Sequence, residues 1–118
     1  MPKITGIGGV FFRAKDPKAL ARWYEENLGV GSTENNGLWM QEAGPNVFST
    51  FVIDTNYFGC PDQVFMLNFR VDDLKGFLQQ LEAKGIKPVK DLEEYEGIGA
   101  FAWIEDPEGN RVELWQAM

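Results

Sequence analysis

An internal repeat within the 118 residues limits the folds open to this chain. Asp16 and Asp73 each precede a helix-like apolar pattern and lie 57 positions apart. Trp39 and Trp103 lie in strand-like segments at an offset of 64. The same two offsets relate Phe12 to Phe69, Arg13 to Arg70, Asn46 to Asn110, and Phe51 to Trp115. Matches that recur in the same order indicate two related structural units.

Each unit has the pattern of one strand, one helix and three further strands. The first helix is predicted to begin at Asp16-Pro17, an N-cap followed by proline, and to end at Gly29. The second begins after Asp73 and ends at Gly85. Strand-like patterns cover residues 3–13, 30–33, 38–42 and 47–54 in the first unit, and 64–71, 86–90, 100–104 and 111–115 in the second.

These patterns predict an α+β fold in a single domain, 1–118. The first module covers about residues 3–54 and the second about residues 63–116, with 55–63 as a connector. Strands of both modules are expected to form a cupped mixed sheet, with the helices on its convex face. The concave face would then be left to enclose something else.

The closing segment carries the sharpest local signal. Asp106-Pro107-Glu108-Gly109 has Asp, Pro and Gly at the first, second and fourth positions, as a type I turn prefers. The flanking residues 101–104 and 112–115 are rich in strand formers, so a hairpin is predicted. Glu113 lies between Val112 and Leu114, and on a cupped sheet its carboxylate would point into the cavity.

Composition excludes several classes of function. The net charge is −7 and no segment concentrates Lys or Arg, which argues against nucleic acid or a membrane surface as partner. No apolar run reaches membrane-span length and no signal peptide is recognised, and Cys60 is the only cysteine, so a cytoplasmic location is expected. The chain has no histidine, the commonest general base and metal ligand.

Three segments resemble the vicinal-oxygen-chelate superfamily, which includes glyoxalase I, extradiol dioxygenases, fosfomycin-resistance enzymes and bleomycin-resistance proteins. They are residues 11–16, residues 68–74 and, most specifically, residues 106–114, which are similar to the closing hairpin of that family. The resemblance covers essentially the whole chain. It implies paired βαβββ modules around a small-molecule site, and it implies a homodimer.

The resemblance also implies four positions for metal ligands, one on the first and one on the last strand of each module. They fall on Gly9, Ser49, Met66 and Glu113, and the repeat offsets agree with this assignment. Only Glu113 is a competent ligand, whereas a catalytic divalent ion normally needs about three. No cofactor is therefore expected, and a divalent metal is disfavoured.

Alternating strand residues in this register would line the cavity. The predicted ligand-binding residues combine apolar side chains with polar groups, as small-molecule pockets do. Aromatic faces among them could stack on a planar ligand. The set comprises Gly9, Phe11, Arg13, Ser49, Phe51, Met66, Asn68, Arg70, Glu113 and Trp115.

Several roles stay open at this point. Glu113 is a weak catalytic candidate, or a remnant held by Arg13, Arg70 or Asn68, and the two arginines could bind an anionic ligand or pair with acidic neighbours. Trp39 and Trp103 are interpreted as core or rim packing, Tyr57 and Cys60 as part of an ordinary linker or a lid, and residues 93–96 as a solvated acidic loop.

Three functions are weighed. The leading hypothesis is a small-molecule-binding protein of the glyoxalase/bleomycin-resistance type without a catalytic metal. The second is a metal-dependent glyoxalase-like lyase, isomerase or dioxygenase, with Gln63, Glu42 and Glu105 as reserve ligands. The third is a dimerising module that binds no ligand.

Overall fold

One mixed four-stranded sheet, backed by two helices, organises the fold. The computed structural model describes residues 1–118. Its elements are α1 (Pro17–Leu28), a short 3₁₀ helix (Thr33–Asn35), β1 (Leu67–Arg70), α2 (Leu74–Ala83), β2 (Glu93–Tyr95), β3 (Gly99–Glu105) and β4 (Arg111–Ala117). The strand order is β1-β4-β3-β2, with β1 parallel to β4 and the other pairs antiparallel. The predicted α+β fold class is confirmed.

Both helices begin and end where the sequence predicted. The Asp16 side chain accepts a hydrogen bond from Ala19 N at 3.2 Å, and Pro17 occupies the first turn of α1. Asp73 accepts from Gly76 N at 3.1 Å in the same way at the start of α2. Gly29 ends α1 with φ of 70°, a left-handed conformation that costs glycine little.

The core lies between the helices and one face of the sheet. Leu20 and Tyr24 of α1 and Leu74 and Leu81 of α2 pack against the sheet. The strand residues in this cluster are Ala102, Ile104, Val112 and Leu114, which are at most 1% exposed. Alternate residues of β3 and β4 therefore point towards the helices, which leaves their neighbours on the opposite face.

The closing turn ties the hairpin to α1. Gly109 N donates to Asp106 O at 2.9 Å, which closes the predicted turn. The Glu108 carboxylate accepts from the backbone N–H groups of Lys15 at 2.7 Å and Asp16 at 3.0 Å, just before α1. A carboxylate at this place also complements the helix dipole. The turn thus fixes the start of a helix that lies some 90 residues earlier in the chain.

The strands predicted in the first half of the chain are not formed. Residues 3–13, 30–33, 38–42 and 47–54 contain no strand, because strand formation needs a paired backbone and these segments meet no neighbouring strand. Their large apolar side chains are exposed, as Phe11 (93%) and Phe48 (89%) illustrate. The two-module organisation of the whole chain therefore stays a prediction.

The second half has the predicted order of strand, helix and three strands, with one change of position. Residues 86–90 were expected to form the second strand, and residues 93–96 a loop. The strand is instead Glu93–Tyr95, paired with residues 99–101 of β3. Residues 86–90 contribute a single backbone bond to the sheet, from Val89 N to Trp103 O at 2.8 Å. Gly97 and Gly99, both with positive φ, permit the tight return that sets this register.

No helix in the structure has the length and hydrophobicity needed to cross a membrane.

Candidate functional site

The strand register determines which side chains share the face opposite the helices. Glu113 lies directly across from Asn68 on β1 and from Trp103 on β3. Trp115, two residues along β4, lies across from Arg70 and Phe101. Directly opposed residues point to the same side of a sheet. We call this side the front face, formed by Asn68, Arg70, Phe101, Trp103, Glu105, Arg111, Glu113 and Trp115.

The Glu113 carboxylate lies at the centre of the front face and accepts three hydrogen bonds. Asn68 Nδ2 donates to Oε1 at 2.6 Å, Trp103 Nε1 donates to Oε2 at 2.9 Å, and the Tyr57 hydroxyl donates to Oε2 at 2.5 Å. Glu113 is only 7% exposed. A buried carboxylate requires such donors, since an unpaired buried charge is costly.

Aromatic rings surround this carboxylate. The Tyr57 ring meets Trp103 edge-on, with centroids 6.2 Å apart, and stacks on Phe51 at 5.6 Å with an interplanar angle of 16°. Phe101 lies nearly parallel to Trp103 at 6.3 Å and to Trp115 at 6.0 Å. The front face therefore presents a row of rings with one polar centre, a composition typical of small-molecule sites.

Two cations adjoin the aromatic row. The Lys90 ammonium lies 4.1 Å from the Trp103 ring centroid and 5.9 Å from that of Tyr57, which is cation–π geometry for the indole. Arg111 Nη1 donates to the Tyr57 carbonyl at 3.1 Å, while its Nε is buried without a partner. Positive charge therefore lies beside the carboxylate without forming an ion pair with it.

The environment of Tyr57 keeps its phenol protonated. Burial has the largest effect and raises the pKa of the Tyr57 hydroxyl well above its usual value, because it disfavours the phenolate. The hydrogen bond to Glu113 and the charge of that carboxylate raise the Tyr57 pKa further, against a smaller opposing effect of Trp103. Tyr57 is thus a hydrogen-bond donor to Glu113 across the physiological pH range.

Part of the predicted site comes together on the front face. Asn68, Arg70, Glu113 and Trp115 share it, and Phe51 reaches it through the Tyr57 ring. Met66 immediately precedes β1 and is partly buried. Asn68 donates to Glu113, which agrees with the alternative that Asn68 holds this carboxylate. Arg70 instead donates to the Pro45 carbonyl at 2.5 Å and the Glu42 carbonyl at 2.7 Å, and therefore does not pair with Glu113.

The remaining predicted residues lie apart. Gly9, Phe11, Arg13 and Ser49 are exposed, and no hydrogen bond or aromatic contact joins them to the front face. Their expected inward orientation depended on strands over residues 3–13 and 47–54. Because those strands are not formed, no alternation directs their side chains to the front face.

Sequence reasoning missed three residues of this arrangement. Trp103 was interpreted as packing and Tyr57 as part of a linker, and Phe101 was not assigned a role. The turn at residues 106–109 indicates two of them. Counting outward from this turn along both strands of the hairpin pairs Trp103 with Glu113 and Phe101 with Trp115. No local pattern indicated Tyr57, which reaches Glu113 across 56 positions of sequence.

The residues present do not fit the divalent metal that the family resemblance suggests. Both oxygens of Glu113 already accept from N–H and O–H donors, and donor hydrogens repel a cation. No group of three His, Cys, Asp or Glu side chains converges anywhere in the chain. Of the reserve ligands, Gln63 bonds through its amide to the Arg111 backbone, and Glu42 and Glu105 are exposed.

Two clefts lie away from the front face. One is bordered by Trp23 and Pro107 beside α1, and the other by Tyr95 and Met118 near the chain end. Both are wide open to solvent, and neither includes Glu113. The buried charge, the aromatic row and the adjoining cations all lie on the front face, which is therefore the better candidate site.

Comparisons with solved structures support the fold. A member of the glyoxalase/bleomycin resistance protein/dioxygenase superfamily from Sphaerobacter thermophilus aligns with a TM-score of 0.62 at 15% identity, covering 96% of this chain and 98% of that one. TnmS3, an antibiotic-binding protein from Streptomyces, gives 0.60 at 19% identity over all of both chains. A lactoylglutathione lyase from Agrobacterium tumefaciens gives 0.60 at 22%, covering 97% and 95%.

At these identities the likeness establishes the fold alone. No protein of curated function matches the sequence. A family model does match, over residues 6–114, which is nearly the whole chain. The chain therefore belongs to the Glyoxalase/Bleomycin resistance protein/Dioxygenase superfamily.

Proposed function

We propose that this protein binds a planar organic molecule on its front face and does so without a catalytic metal. The observation that carries the proposal is the buried Glu113 carboxylate, held by three donors within a row of aromatic rings. Rings supply apolar contact area, and a single polar centre orients the ligand. TnmS3, which has the same fold, is an antibiotic-binding protein, and this supports a ligand-binding role.

We propose no catalytic role for Glu113. General acid–base chemistry requires a group that can exchange a proton with the substrate. The Glu113 oxygens are instead occupied by Asn68, Trp103 and Tyr57, and the chain has no histidine to assist. Binding therefore accounts for this arrangement more simply than lyase, isomerase or dioxygenase chemistry.

A panel of planar aromatic compounds, tested by thermal shift and calorimetry, examines this function. At least one compound should stabilise the protein, because a ligand that binds only the folded state raises its stability. Replacing Trp115 by alanine should weaken that binding about tenfold, since aromatic contacts contribute on the order of 1 kcal/mol. Trp23→Ala is the matched control, because Trp23 lies on α1 behind the sheet.

Metal is tested in parallel. Protein purified without chelator should contain no stoichiometric metal by mass spectrometry, and Mn, Fe, Co, Ni and Zn should leave its melting temperature unchanged. Near one metal per chain, lost in Glu113→Ala, would contradict the proposal and favour the metal-dependent enzyme. A protein that binds neither metals nor any planar compound would contradict both and favour a module without a ligand.

We also propose that the chain works as a homodimer in the cytoplasm, with no nucleic acid or membrane partner. Strand β1 pairs only with β4, so its outer edge is free, and the first half exposes large apolar side chains such as Met40 (86%) and Ile53 (102%). Free edges and apolar patches favour association. The net charge of −7 supports the absence of a nucleic acid or membrane partner, and the lone Cys60 supports a cytoplasmic location. Sedimentation that gives only the monomer mass at micromolar concentration would contradict the dimer.

A further inference from the structure

The residue that completes the Glu113 site does not belong to the sheet. Tyr57 lies on the connector between the two halves of the chain, whereas Asn68 and Trp103 lie on strands. Its hydroxyl nevertheless donates to Glu113 at 2.5 Å, and its ring lies between Trp103 and Phe51. The connector thus places a phenol group over the centre of the front face.

No backbone–backbone hydrogen bond joins the connector around Tyr57 to the sheet. The backbone bonds within the connector are local turns, such as Thr55 N to Val52 O and Gly59 N to Asn56 O. Tyr57 is only partly buried, and Phe51, which stacks on it, is 50% exposed. Besides the bond to Glu113, Tyr57 contacts the sheet through the Arg111 side chain, which donates to its carbonyl, and through the edge-on contact of its ring with Trp103.

Removal of Tyr57 would leave Glu113 short of one donor. Asn68 and Trp103 would still donate, but Oε2 would lose its shortest bond in a buried environment. The loss of this donor is unfavourable, because each hydrogen bond to a buried carboxylate offsets part of its desolvation. A molecule that displaces Tyr57 is therefore favoured if it supplies a donor at the same place on a flat ring that fits against Trp103.

We propose that Tyr57 is a built-in substitute for the ligand, and that the site takes a planar aromatic molecule with a phenolic hydroxyl. The ligand displaces the Tyr57 ring, donates its hydroxyl hydrogen to Glu113 and lies against Trp103. This inference rests on the function proposed above and specifies its ligand class. A second ring would extend over Phe101 and Trp115, which continue the aromatic row.

The surrounding charges favour the neutral phenol over the phenolate. Burial is the main cause of the raised pKa of Tyr57, and the hydrogen bond to Glu113 and its negative charge raise it further. The other groups that face Tyr57 are Lys90, 5.9 Å from its ring, Arg111, which contacts its carbonyl, and Tyr95 of β2. Neither cation contacts the hydroxyl, so the carboxylate dominates there.

Calorimetry with 2-naphthol and its methyl ether, 2-methoxynaphthalene, tests the proposal. The two probes share the ring system, but only the naphthol can donate to Glu113. The wild-type protein should prefer the naphthol, and Tyr57→Ala should bind it about tenfold tighter because no intramolecular phenol competes. The ether, which cannot donate to Glu113, should bind more weakly than the naphthol to both proteins. Equal affinity of Tyr57→Ala for both probes, or no gain over wild type for the naphthol, would overturn the proposal.

Two further variants control the result. Phe58→Ala removes the neighbouring ring on the same connector, which touches Phe51 at 5.2 Å but makes no bond to Glu113. It should leave the affinity for the naphthol unchanged, so a tenfold gain like that expected for Tyr57→Ala would overturn the specific role of Tyr57. Glu113→Leu should abolish the preference for the hydroxyl, because a leucine side chain has no hydrogen-bond acceptor.

The Glu113→Leu comparison also decides the question if Tyr57→Ala does not fold. A hydroxyl preference in wild type that survives in Glu113→Leu would then overturn the proposal. The binding measurements also distinguish the phenol subsite from the more general proposal that the protein binds planar organic molecules. Binding of planar compounds without hydroxyl preference overturns only the phenol subsite, whereas no binding to any variant overturns both.

Discussion

The hairpin of β3 and β4 carries two buried acid–tyrosine pairs, and their difference is instructive. Asp106, 5% exposed, accepts from the Tyr24 hydroxyl at 2.7 Å, and Glu113, 7% exposed, accepts from Tyr57 at 2.5 Å. In both pairs the tyrosine lies far from the acid in sequence. In both, burial is the largest cause of a raised tyrosine pKa.

The two pairs differ in what surrounds them. Asp106 also accepts from Glu108 N, from Asn110 N and from Asn110 Nδ2, so it closes the turn and fastens it to helix α1. Tyr24 itself is 6% exposed and belongs to the core. Glu113 instead lies among aromatic rings on the front face, beneath a tyrosine from a connector. The same chemistry therefore serves architecture at one end of the hairpin and a candidate binding site at the other.

The largest expected loss of stability follows from the removal of the Asp106 side chain. Asp106→Ala removes four hydrogen bonds and leaves the buried Tyr24 hydroxyl without its acceptor. We expect the free energy of unfolding, measured by urea denaturation, to fall by about 3 kcal/mol. Asp62→Ala, at an exposed aspartate in the connector, is the matched control and should change stability by less than about 0.5 kcal/mol. Similar losses in both variants would refute the structural role of Asp106.

Removing each tyrosine hydroxyl sharpens the comparison. Tyr24→Phe should lower the free energy of unfolding by about 2 kcal/mol, because it breaks a buried bond to a carboxylate. Tyr57→Phe should cost about 1 kcal/mol or less, since Tyr57 is partly exposed and Asn68 and Trp103 still hold Glu113. Only Tyr57→Phe should change the affinity for phenolic probes. If Tyr24→Phe changed that affinity equally, the division between architecture and binding would be wrong.

The smallest expected effect on stability comes from tyrosine ionisation and is confined to alkaline solution. All three tyrosines have raised pKa values, Tyr24 and Tyr57 chiefly through burial and Tyr95 chiefly through its bond to Glu93. A raised tyrosine pKa means that the folded state holds the proton more tightly. Its stabilising contribution is therefore complete below about pH 10, the unfolded value, and declines as the pH rises towards the folded pKa.

Tyrosinate absorbance measures this directly. At about pH 10 the native protein should show little tyrosinate, whereas the urea-unfolded chain should be about half ionised. Titration of Tyr24→Phe and Tyr57→Phe then assigns the two protected groups. Coincident native and unfolded titration curves would show that the hydrogen bonds to Asp106 and Glu113 do not protect the phenols.

Much of the fold was predictable because its signals are local. Asp16 and Asp73 cap helices through their own side chains, and Gly29 ends a helix through its own backbone. The turn at residues 106–109 fixes the hairpin register within a few residues. Strand β2 was misplaced because a three-residue edge strand has little pattern of its own, and its position depends on Gly97 and Gly99.

The candidate site was only partly predictable because its members come from distant segments. Glu113 and Asn68 followed from strand alternation in the second half, where the strands form. The inward orientation predicted for Gly9, Phe11, Arg13 and Ser49 depended on strands that do not form in the structure, so the structure does not bring these residues to the front face. Strand propensity describes what a segment can do, whereas a strand needs a partner along its backbone.

The sequence by itself determined the superfamily, the α+β class, both helices and the closing hairpin with Glu113 on it. These features depend on caps, turns and periodicity, which act over a few residues. Only the tertiary structure decided that Trp103 and Tyr57 hold Glu113, that Arg70 binds backbone carbonyls, and that the first half leaves its apolar residues exposed. Such contacts join residues tens of positions apart, and they are set by packing and backbone pairing rather than by local preference.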